Sequence, residues 1–428
     1  MRRLIELPHR GGRLCLIAAA LLGFTMWLYV DRIWAPPVDI HYSDLYPRWY
    51  GSRELLLHGR DPYSSDVTRE IQLWAYGRTV DPHRSDGPRD EDRFAYPLYV
   101  AFLLAPTLRA DFNTVQAVFR ILLPILAIAT IPLWLVMLNW TPPRHWLGVI
   151  FILAFFNFPV LESLYLQQPG IIAAFFVALG LAALVRGRLG LAGVCVALST
   201  IKPQLTALLV LWLLAWAFAD WQARKRFVLS FGASMLVLTG VAAVLLPRWI
   251  PEFITGTFAY QRYTGNLSIL SVLLTRTGGA LAAVALVAGV AVLCWKWRRC
   301  SANSYLFQLA TCLVLVTTVV VIPTIYPTGQ ILLVAPVLFI LRDASKLWNG
   351  GRASRLALIA VVCLIGWQWM AAFLFALCSA WVPFSSLRRF WIVPVSCLLI
   401  VPLALLVLYA IRIMTLLKEE HVRLVSVA

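Results

Sequence analysis

Charge is what this sequence has little of. Only 13% of its 428 residues are charged and twenty are acidic, against ~25% charged in soluble domains. With 61% of residues apolar, that shortage excludes a large soluble catalytic domain and points to an all-α polytopic membrane protein. Acids are scarcer still outside one stretch: thirteen of the twenty lie between Asp31 and Asp111, so this segment alone carries enough titratable groups for chemistry. Histidine is also rare, and no Cys-x-x-Cys pair occurs. The eight cysteines sit in or beside apolar runs with no histidine near them, which implies neither a zinc site nor a disulfide framework. Internal repeats, common in transporters, are missing as well.

Apolar runs, by contrast, are plentiful. The first covers Leu14 to Val30 behind Arg2, Arg3, Arg10 and Arg13, with no small-x-small cleavage site after it, and reads as an uncleaved helix with its N-terminus inside. Eleven longer runs follow, from 115–138 to 391–416, and a short one at 97–108 reads as a dip. About twelve membrane helices are expected, within a range of 10–13, and both termini fall on the cytoplasmic side. Basic residues agree with this orientation: inward segments hold twenty, short outward segments six. The formal charge of +17 is therefore a matter of topology, and no nucleic-acid partner is implied. The chain divides into a first helix (1–34), an extracytoplasmic catalytic loop with interfacial helices (35–111), a membrane core with outer loops (112–276) and C-terminal membrane helices (277–428).

Within the acidic segment, Tyr46 to His58 reads as a helix with Pro47 in its first turn and a stop at Gly59. Its ridge of Trp49, Leu55, Leu56 and Leu57 suits a membrane interface. A second polar helix is expected over Asp66 to Tyr76, and the Asp-, Arg-, Pro- and Gly-rich stretch from Gly77 to Arg93 reads as a flexible connection, a solvated loop or a lid. In it, Asp90-Glu91-Asp92 between Arg89 and Arg93 reads as a salt-laced loop rather than a metal site. Beyond the segment, Glu162 and Lys202 lie at the ends of apolar runs interrupted by proline. An ionisable group at membrane depth costs at least ~2.5–3.5 kcal/mol and is by default functional, although Lys202 has snorkelling as its alternative.

These pieces occur in a telling order: Asp44-Leu45-Tyr46, Gly59-Arg60-Asp61-Pro62-Tyr63, Tyr96-Pro97, Gln167-Gln168-Pro169, Ile201-Lys202-Pro203 and Gly265-Asn266-Leu267-Ser268. Spread over residues 44 to 268, they resemble the GT-C class of membrane glycosyltransferases and, more closely, glycosyltransferase family 87. The resemblance implies a mannosyltransferase-like enzyme of the plasma (inner) membrane. It would take sugar from a polyprenyl-phosphate donor to a lipid-linked or glycan acceptor on the extracytoplasmic face.

Such a transfer needs a base for the acceptor hydroxyl and fixed positive charge for the departing phosphate. Asp44 is the candidate base, beside Tyr42, Tyr46 and Trp49; its competing role is to cap the following helix. Lys202, Arg262 and Arg48 are candidates for the donor phosphate. Asp61, Tyr63, Gln168, Tyr260, Asn266 and Glu162 are candidates for substrate, with Asp61 alternatively a turn residue. His41, three residues before Asp44, is either its orienter or a loop histidine, and only His58 and His83 besides it fall on the outer side. No metal or other cofactor is called for. A lipid transporter or flippase is the rival reading.

Overall fold

The computed structural model describes residues 9–35, 43–81, 90–263, 267–323 and 326–427, with side chains left undescribed at 9–10, 260–263 and 420–427. The described chain is helical, with no strand. Six helices are long and apolar enough to cross a membrane, the first being Gly11–Trp34, and a bent pair, Arg144–Phe155 with Phe158–Tyr165, makes a seventh. Five shorter apolar helices accompany them. The protein is thus an all-α, multi-pass membrane protein.

The first helix, α1 (His9–Tyr29), continues as a π turn to Trp34. Next come α2 (Tyr46–His58) and α3 (Ser65–Tyr76), each stopped by a glycine in the left-handed region, Gly59 at φ 66° and Gly77 at φ 66°. Arg60 joins them, reaching Glu54 at 2.6 Å and Glu70 at 2.8 Å. The run at 97–108 is only a short helix, α4 (Val100–Leu104), with a 3-10 turn, as its length requires. The ridge of α2 faces protein at three of its four positions: Trp49 is buried, its indole N–H donating to Thr107 at 3.4 Å, Leu55 is buried too and Leu56 packs half-buried against the core, whereas Leu57 stays exposed. Lipid and protein interiors are equally apolar, so hydropathy alone does not separate the two surroundings.

The membrane part begins with α5 (Phe112–Met137) and the bent pair α6 (Arg144–Phe155) and α7 (Phe158–Tyr165), which meet at 50°. The bend frees backbone groups that hydrocarbon cannot satisfy, and the helix Arg352–Cys378 supplies partners. Its Gln368 accepts from the Phe158 N–H at 2.8 Å, and its Trp369 donates to the Phe156 carbonyl at 2.7 Å. Asn157 caps α7, accepting from Val160 at 3.1 Å.

Three helices follow, α8 (Gly170–Val185), α9 (Leu189–Ser199) and α10 (Pro203–Phe218), of which α8 and α9 pack closely on one another. Apolar on all sides, α8 is buried in protein on nearly all of them. Small residues let the backbones approach. A Cβ at Gly193 would stand 2.5 Å from the Phe227 carbonyl oxygen of α11 (Trp221–Leu245). Gly193→Val is therefore expected to force α9 and α11 apart and cost about 1–3 kcal/mol, read as a lowered unfolding temperature in detergent. An unchanged transition would mean the two helices do not meet this closely. After α11 comes α12 (Trp249–Tyr263).

Candidate functional site

Two helix interruptions and the start of α2 converge on Asp44. The first interruption is the 166–169 turn between α7 and α8. Its Leu166 carbonyl accepts from the Asp44 N–H at 2.8 Å. Gln167 takes a left-handed conformation, φ 53°, which costs a non-glycine residue of order 1 kcal/mol or more and persists only where its surroundings impose it. Here they do: Gln167 is buried, accepts from the Ser43 hydroxyl at 3.0 Å and donates to the Gln116 carbonyl of α5 at 3.0 Å. That twist turns the next side chain, Gln168, onto the Asp44 carboxylate, to which its amide donates.

The second interruption is the 199–202 turn between α9 and α10. Tyr99 holds it by donating to the Thr200 carbonyl at 3.0 Å. Lys202, at the N-cap of α10 and only 8% exposed, donates its Nζ to Gln168 Oε1 at 2.9 Å. Gly170 leaves it room, since a Cβ there would come within 3.1 Å of Nζ. Gln168 is thus a bridge, one end on a cation and the other on a carboxylate. Lys202 points into this polar site instead of snorkelling.

Asp44 does not cap α2. The N-cap is Leu45, without a side-chain cap bond, and the Asp44 carboxyl faces Gln168 and Arg48, whose guanidinium is 3.9 Å away. Arg48 is buried and lies over the Tyr96 ring at 4.6 Å. Although enclosed by protein, the Asp44 side chain keeps 29% exposure, enough for a hydroxyl to reach it. Desolvation raises its pKa above the ordinary carboxylate range, and Arg48 and Lys202 pull it part of the way back. Glu162, 5% exposed, lies in the fields of both Asp44 and Lys202, and one of its oxygens has no hydrogen-bond partner.

Asp61 behaves as a turn residue, accepting from the Tyr63 N–H at 2.8 Å. Tyr63 in turn donates to the Tyr96 carbonyl at 2.7 Å. Both also line a cavity away from Asp44. Tyr260 and Arg262 lie on α12, but their side chains are outside the described set, and Tyr42, His41, His83 and Asn266 are outside the described residues. His58 is occupied by Glu54 at 3.1 Å.

One residue of the site escaped the reading of the sequence. Asp92 belongs to the acidic run assigned above to a salt-laced loop, and Glu91 and Arg93 do pair there. Asp92 itself, at φ 46°, turns inward, where burial, with Asp90 and Asp44 adding, lifts its pKa to about 8 against the pull of Arg48. The available signal was position: the run ends two residues before Phe94 and four before Tyr96, both buried.

A carboxylate open to solvent, bridged by an amide to a nearly buried ammonium, can take a proton from a hydroxyl while positive charge waits beside it. Against known proteins, the family model described as glycosyltransferase family 87 matches residues 94–323, just over half of the 428-residue chain and including Gln168 and Lys202. The matched stretch begins after Asp44. No curated protein matches.

Proposed function

The chain belongs to glycosyltransferase family 87 and is a membrane glycosyltransferase; from that premise we propose that it transfers a sugar, mannose or a related hexose or pentose, from a polyprenyl-phosphate donor to an acceptor hydroxyl, with Asp44 as general base. The observation that carries this reading is the line Lys202–Gln168–Asp44, with 2.9 Å between Nζ and the bridging amide oxygen. Lys202 and Gln168 lie inside the matched stretch and Asp44 outside it.

In the proposed step the acceptor oxygen attacks the anomeric carbon from the face opposite the phosphate, so configuration inverts. The acceptor O–H proton passes to the Asp44 carboxylate as the new C–O bond forms. The old C–O bond breaks with its electron pair leaving on the phosphate, beside Lys202. A lipid phosphate departs as a stable anion, so no second carboxylic acid is required, unlike glycoside hydrolysis with its pair. For the same reason the scheme calls on no metal. Arg48 is the inner cation: packed on Tyr96, it sets the field at Asp44 more than it reaches for substrate. The site opens on the extracytoplasmic face of the plasma membrane, with both termini on the cytoplasmic side.

The test is to incubate purified protein with polyprenyl-phosphate mannose, glucose and arabinose and a panel of glycan and glycolipid acceptors. Transfer from one of these donors with inversion at the anomeric carbon is the expected result. No transfer from any of them, together with movement of the lipid across a vesicle bilayer, would replace this reading with a transporter.

A further inference from the structure

The site around Asp44 accounts for a donor phosphate and a base but leaves a separate cavity unexplained. A cavity of about 610 Å3 opens between the acidic segment and α12, lined on one side by Asp61, Tyr63, Arg93 and Phe94 and on the other by Arg248, Pro251, Glu252, Thr255 and Gly256. Its size lies within the ~300–1,000 Å3 of small-molecule sites. At ~30 Å3 per water volume it matches the roughly two dozen non-hydrogen atoms of a disaccharide.

The lining chemistry narrows the occupant. Asp61 and Glu252 only accept hydrogen bonds when ionised, whereas Arg93 and Arg248 only donate. Sugar hydroxyls do both, so a neutral glycan can satisfy all four groups, whereas a phosphate, which only accepts when ionised, could use the two arginines and would leave both carboxylates without a donor. Phe94 is buried behind Tyr63, ring centres 5.2 Å apart and edge to face, which leaves the half-buried Tyr63 ring as the aromatic surface for the C–H face of a sugar.

The cavity also lies one backbone away from the reaction site. Along the segment 92–96, Asp92 belongs to the Asp44 and Arg48 side, while Arg93 and Phe94 line the cavity. Tyr96 then carries Arg48 on its ring and the Tyr63 hydroxyl on its carbonyl. We infer that this cavity is an acceptor subsite and that it holds the one or two sugar units next to the reacting end of a neutral glycan acceptor, whose own hydroxyl reaches past the 92–96 segment to Asp44. The inference rests on the transferase reading above, which leaves the acceptor open.

The test uses full-length protein in nanodiscs and saturation-transfer NMR with three probes, the methyl glycosides of mannobiose, glucobiose and arabinobiose. Wild type is expected to give signals from both rings of at least one probe, and Asp44→Asn to keep them. Gly256→Trp should cut the signal at least five-fold, because a side chain at Gly256 meets nothing within 4 Å and has the cavity to fill. Glu252→Gln, nearly the same shape, should weaken binding at least three-fold. Equal signals from wild type and both cavity variants, or none from any probe with wild type, would overturn the inference. Binding that survives while no lipid donor supports transfer would fault the donor chemistry alone, so the two failures are distinguishable.

Discussion

Asp44→Asn is expected to lower the rate of sugar transfer by about three orders of magnitude, within the ~10²–10⁴ that general-base catalysis supplies. Asparagine keeps the shape of aspartate and can still accept from Gln168, but it cannot take a proton. Stability should move the other way. Because desolvation raises the Asp44 pKa in the folded protein, the folded state binds its proton more tightly than the unfolded chain does. The ionised carboxylate then costs stability at neutral pH, a cost that develops as pH rises from the unfolded pKa through the folded one. The variant's unfolding temperature at pH 7 should therefore equal or exceed that of wild type. A dead variant that also unfolds early would make Asp44 a structural residue, and turnover within ten-fold of wild type would remove it as the base.

Lys202→Met should slow transfer by about two to three orders of magnitude, the usual cost of removing one fixed charge-stabilising group, with much of the loss in kcat. It should also displace the acid limb of the pH profile. A base must be ionised, so activity falls as pH drops through the Asp44 pKa. Burial already raises that pKa, and Lys202 is one of the two cations that lower it. Without Lys202 it rises further, and the limb of kcat/KM against pH moves to higher pH. If Lys202 only packs against Gly170 and α8, activity falls modestly and the limb stays where it was.

Signals confined to a few consecutive residues were readable in advance. Helix α2 begins at Tyr46, with Pro47 in its first turn, and ends before Gly59, because proline fits a first turn and glycine the left-handed stop. The run at 97–108 was too short to cross and does not form a long helix. Burial depends on distant neighbours and was not readable. Asp92 sits in a composition that signals solvation, yet it turns toward Asp44 and Arg48, more than forty positions earlier. Trp49 looked suited to a membrane surface and is covered by Thr107 and Phe112.

By itself the sequence determined that the chain is helical and multi-pass, and that its acidic residues are concentrated in one segment, Asp31 to Asp111. Hydropathy and charge act residue by residue and survive without a fold. Only the tertiary structure decided that Gln168 would bridge Asp44 and Lys202, residues 124 and 34 positions from it. That bridge exists because the two turns that carry Gln168 and Lys202 are held by groups elsewhere in the chain, Ser43 and Gln116 at the first and Tyr99 at the second.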